Sequence, residues 1–88
     1  MVLNMKRYGE VLVLKEEGEE AFYSADEIFF HALKQEEVIT LDFNKVRALS
    51  PFWIDEFICD VKKKYTNKLE FINIENETVK LALKIALS

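Results

Sequence analysis

The chain has 88 residues, half of them apolar, with seven Phe, three Tyr and one Trp, which is material for a single domain over residues 1–88. A formal net charge of -4 disfavours wholesale nucleic-acid binding, and no apolar run approaches the roughly 20 residues that a membrane span needs. No apolar leader precedes a cleavage site near Met1, and the single Cys59 has no internal disulfide partner, so a cytoplasmic, reducing location is expected.

In chain order, two strand-like pieces, Val2 to Arg7 and Glu10 to Lys15, flank Tyr8-Gly9 and predict a hairpin. Val11-Leu12-Val13-Leu14 is apolar on both faces and suits an inner strand, whereas Asn4, Lys6 and Arg7 suit an edge. Glu16-Glu17-Gly18-Glu19-Glu20 reads as a solvated loop, because its carboxylates lack the ligand spacing of a calcium site.

Ser24-Ala25-Asp26-Glu27 has the form of a capping box and predicts a helix start. Ala25, Ile28, Phe29, Ala32 and Leu33 would face the core, with Glu27, His31, Lys34 and Gln35 opposite. Val38 to Phe43 then predicts an inner parallel strand with Asp42 near its end, where open α/β folds usually place function.

Ser50 and Pro51 are suited to the cap and first position of a second helix. Ile54, Phe57, Ile58, Val61 and Tyr65 form its core stripe. Phe52 falls among Asp55, Glu56, Cys59 and Lys63 on the polar side, with Trp53 at the border. Cys59 has no flanking His and reads as an ordinary thiol. Lys62-Lys63-Lys64 reads as a solvated helix face.

Leu69 to Ile74 predicts a further strand, and Asn76 caps a last helix from Glu77 to Leu87. Val79, Ala82, Leu83 and Ala86 suffice as its core face, yet Leu81 and Ile85 add a second apolar strip.

Two glycines, one His and one Cys leave no phosphate-cradling glycine loop, dinucleotide fingerprint or zinc site to draw. No enzyme activity, cofactor or metal is expected.

Tyr23-Ser24-Ala25-Asp26-Glu27, the run Leu41-Asp42-Phe43-Asn44-Lys45-Val46 leading into Leu49-Ser50-Pro51, and Ile74-Glu75-Asn76-Glu77-Thr78-Val79 together carry a resemblance. In this order of elements the chain, from about Gly9 to Leu87, resembles the STAS-like domains. The likeness is to a short bacterial and archaeal family of unknown function with an Asp-Phe-x-x-Val pattern before a Ser-rich helix start. It implies a small α/β STAS-like sandwich, with a mixed, mostly parallel sheet of about four strands and three helices, lacking the last strand and helix of full STAS domains.

The better known relatives are the anti-sigma factor antagonists, whose second helix starts at a phosphorylatable serine and docks on an ATP-dependent kinase that is also the anti-sigma factor. Aligned without gaps from Asp42 through Val46, that serine's place falls on Phe52 and an acidic residue's place on Ser50. The switch residue is thus missing, although Ser50 offers a hydroxyl for phosphorylation two residues away.

The resemblance implies a regulatory protein-binding module docking through residues 42–56, with Asp42, Ser50, Phe52, Trp53 and Glu56 as contact residues and a histidine-kinase-like ATPase as partner. A second reading is a self-associating subunit, a homodimer through Leu81 and Ile85. A third is a small nucleotide or anion binder, should Asp42, Ser50, Asn73 and Asn76 converge.

Overall fold

The computed structural model describes residues 1–88 and contains five short strands, three α-helices and two 3-10 turns. Strand β1 (Val2–Asn4) leads through a 3-10 turn, Met5–Tyr8, to β2 (Val11–Leu12) and helix α1 (Lys15–Ile28). A second 3-10 turn, Phe30–Ala32, precedes β3 (Ile39–Asp42) and β4 (Ala48–Leu49). Helix α2 (Pro51–Lys64), β5 (Leu69–Ile72) and helix α3 (Glu77–Ala86) complete the chain.

Every ladder is parallel. One sheet has the order β1-β3-β5 and the other pairs β2 with β4. The α/β class, the parallel inner strand and the three helices therefore stand as the sequence indicates. The N-terminal hairpin does not form: β1 registers with β3, Leu3 opposite Leu41, and β2 with β4, Leu12 opposite Leu49. Gly9, at φ 129, follows the 3-10 turn and redirects the chain from one sheet to the other. Nor is β2 an inner strand, since Val11, Val13 and Leu14 are all exposed.

Helix α1 begins nine residues earlier than the capping box implies, at Lys15 rather than Ser24. The run from Glu16 to Glu20 is its first turns, and Glu16 and Glu17 lie where the positive end of the helix dipole favours carboxylates. Ser24 sits mid-helix, and the core face is Gly18, Ala21, Phe22 and Ala25, leaving Ile28 exposed.

Helices α1 and α2 pack together and α2 packs on α3, so the core is aromatic at its centre. Trp53 stacks on Phe57 at 5.5 Å, and Phe22 and Phe30 both meet Phe57 edge-on.

The far ends of α1 and α2 are clasped by Asp26, which accepts hydrogen bonds from Lys64 Nζ at 2.5 Å and from the Tyr65 hydroxyl. Burial works to raise the Asp26 carboxyl, but these two donors outweigh it and hold it below the ordinary aspartate value. Burial and then the hydrogen bond to Asp26 push Tyr65 up to about 12. A depressed folded pKa contributes stability that is complete above the unfolded value and lost as pH falls through the folded one. Asp26→Asn is therefore expected to cost about 1 kcal/mol at neutral pH. That cost should shrink below the ordinary aspartate range near about 4, as urea melts at several pH values will report.

Candidate functional site

The strand-to-helix segment after β3 is built as a braced loop. Asp42 Oδ1 accepts the Asn44 N–H at 2.9 Å and the Asn73 side-chain amide at 2.8 Å, tying the ends of β3 and β5 together. Val46 N–H closes a turn onto the Phe43 carbonyl at 3.0 Å, with Lys45 between them at φ 68. Asn76 Nδ2 and Thr78 Oγ1 each donate to the Arg47 carbonyl at 3.1 Å, joining the loop to the start of α3.

Ser50 closes the segment as expected. Its Oγ accepts the Trp53 N–H at 3.2 Å and donates to the Val13 carbonyl at 2.5 Å, so one hydroxyl caps α2 and holds the chain leaving β2. Asn76 likewise caps α3, accepting from Thr78 N–H and Val79 N–H. Both bonds of Ser50 disappear in Ser50→Ala, which is expected to lower unfolding stability by about 1 to 2 kcal/mol in denaturant melts. A phosphoryl group on Ser50 would require the Val13 bond to open.

Of the four residues of the ligand reading, Asp42 and Asn73 meet directly, whereas Asn76 turns to the Arg47 carbonyl and Ser50 to the Val13 carbonyl. The bonds just described engage their side chains with loop backbone or with each other, so their first role is bracing.

Phe52 is 71 % exposed on the first turn of α2, whereas Trp53 is 1 % exposed. Trp53 is therefore a core residue and not a contact residue: α1 covers the side of α2 that a lone helical projection places at the border. Glu56 is also less available than expected. Its side chain is 15 % exposed and lies 3.9 Å from Lys15 Nζ on the α1 side of the helix. Burial first, then Asp60, raises its carboxyl.

Leu81 and Ile85 remain 59 % and 52 % exposed, so the last helix does not tuck them into the core. An open cleft of about 290 Å³ between the start of α2 and the end of α3 is lined by Pro51, Phe52, Asp55, Ile85, Ala86 and Ser88. Phe52 and Ile85, which sequence assigns to two separate surfaces, thereby share one. Leu81 extends it one helical turn along α3, and Val13, bonded through its carbonyl to Ser50, is 42 % exposed beside the first turn of α2.

The remaining candidates are quiet. Cys59 is exposed with its thiol raised, first by burial and then by Asp55, which disfavours the thiolate. His31 is exposed, its Nδ1 3.3 Å from the Asp26 carbonyl. No helix of the structure is long and apolar enough to cross a membrane.

Comparison with known families matches residues 24–79, more than half of the chain, to the family described as STAS-like domain of unknown function (DUF4325). No curated protein and no solved structure matches.

Proposed function

The chain belongs to this family of STAS-like domains of unknown function, and from that premise we propose that it is a non-catalytic regulatory module. It docks a partner protein through the braced loop 42–50, the first turn of α2 and the adjoining end of α3. The observation that carries the reading is Phe52. A 14-residue helix with a complete core stripe leaves its first aromatic 71 % exposed, at the lip of a cleft it shares with Ile85. Large aromatics held at such a lip are the residues that anchor interfaces. The bracing by Asn73, Asn76, Thr78 and Ser50 supports the same reading, because a loop fixed before binding loses less entropy when it docks.

The likeness to anti-sigma factor antagonists makes a histidine-kinase-like ATPase the partner class. With Phe52 in the place of the switch serine, docking here is constitutive unless Ser50 is modified. Affinity capture from the native host tests the reading, with wild-type, Phe52→Asp and Gln35→Lys baits compared side by side. Gln35 is exposed at the opposite end of the sheet, near Asn67 ahead of β5. A partner kept by Gln35→Lys and lost with Phe52→Asp supports docking here, whereas one kept by all three baits removes it.

A second reading, self-association, is favoured by the two exposed apolar side chains on α3. Sedimentation of wild type against the double variant Leu81→Lys, Ile85→Lys checks it: a concentration-dependent dimer that the double variant abolishes is the expected result.

A further inference from the structure

We propose that the cleft at the carboxyl ends of β1 and β3 binds a compact, phosphate-bearing polyanion. The cleft has a volume of about 350 Å³ and is lined by Asn4, Lys6, Arg7, Asn44 and Lys45. Three of the 12 Lys and Arg of an otherwise acidic chain converge there, on the edge of a parallel sheet where α/β folds receive ligands.

The charges are available. Neither Arg7 nor Lys45 forms an ion pair, and Lys6 has only a long contact, 3.9 Å, to Glu10, which sits equally far from Arg47. Asp42, the carboxylate at the base of the same loop, has Oδ1 taken up by the Asn44 N–H and the Asn73 amide.

The cleft is also ordered before any ligand arrives. Fully buried Met5 pins the 3-10 turn that carries Lys6 and Arg7, and the Arg7 guanidinium lies 4.7 Å from the Phe29 ring centroid, a cation–π contact that restrains it. Across the cleft, Lys45 holds φ 68, a left-handed conformation uncommon for a residue with a side chain. Asn4 and Asn44 add side-chain amides, donors of hydrogen bonds to anion oxygens.

No lining residue is apolar, so nothing in the cleft would hold a nucleobase, and three cations match the charge of a pyrophosphate group better than that of a carboxylate. The cleft involves neither Phe52 nor Ile85, so it stands or falls independently of the docking surface.

Titration calorimetry with pyrophosphate, inorganic phosphate and adenosine monophosphate, at low and at physiological salt, tests the proposal. Saturable one-site binding of pyrophosphate is expected, weaker binding of phosphate, and no gain from the nucleoside. Lys45→Asn, which keeps a side chain tolerant of the left-handed backbone, and Lys6→Gln should each weaken pyrophosphate binding about tenfold, with unchanged circular dichroism. No saturable binding, or wild-type affinity in both variants, overturns the site. Adenosine monophosphate binding more tightly than pyrophosphate overturns the ligand class. Lys6 is exposed, so its variant remains decisive even if Lys45→Asn unfolds.

Discussion

Gly18→Ala is expected to destabilise the protein by about 2 kcal/mol or more, although it places the best helix former inside a helix. A Cβ built on Gly18 would lie 2.4 Å from the Trp53 carbonyl oxygen and 3.1 Å from its carbon. That obstacle is α2 backbone and cannot rotate aside. Alanine recovers about 1 kcal/mol of helix propensity, while overpacking of this severity costs about 3 kcal/mol or more, so the clash decides the sign. Denaturant melts will show it, with a lower midpoint and an unchanged slope. A neutral or stabilising result would mean that α1 does not approach α2 at this point.

The second large effect is on binding. Phe52→Asp, and separately Ile85→Lys, are expected to weaken partner binding about 30-fold or more, the loss that follows when an interface anchor is removed. Both residues already face solvent, so neither substitution removes core packing, and melting temperatures should stay close to wild type. This combination separates an interface from a structural role. Trp53→Ala, by contrast, would lose binding only by losing the fold, since its ring is stacked on Phe57.

The parts of this picture that were legible in sequence are those set by local chemistry. Ser50-Pro51 and Asn76 cap helices because a short oxygen-bearing side chain before a helical run has one good use. The stripe Ile54, Phe57, Ile58 and Val61 is buried, and Phe52, Leu81 and Ile85 are exposed, because helical periodicity alone sorts them.

What was not legible depends on contacts between distant segments. Gly18 among four glutamates has the composition of a loop, and only the proximity of Trp53 explains a glycine inside a helix. Ser24 and Glu27 have the spacing of a cap, but the pattern does not reveal that the chain is already helical from Lys15. Tyr8-Gly9 punctuates a 3-10 turn as well as a hairpin, and the choice lies with β3, which pairs with β1 from about forty residues away. The basic cleft joins residues 4–7 to residues 44–45, and no local motif announces it. Phe52 and Ile85 meet for the same reason, through the packing of α3 on α2.

The most direct test of the docking surface places a photocrosslinking benzoyl-phenylalanine at position 52, and as a control at position 35, in the native host. The account predicts a discrete adduct to a different protein from position 52, absent from position 35 and lost when Ile85 is also changed to Lys. Adducts equal at both positions, or an adduct from position 52 that is indifferent to Ile85→Lys, would contradict it.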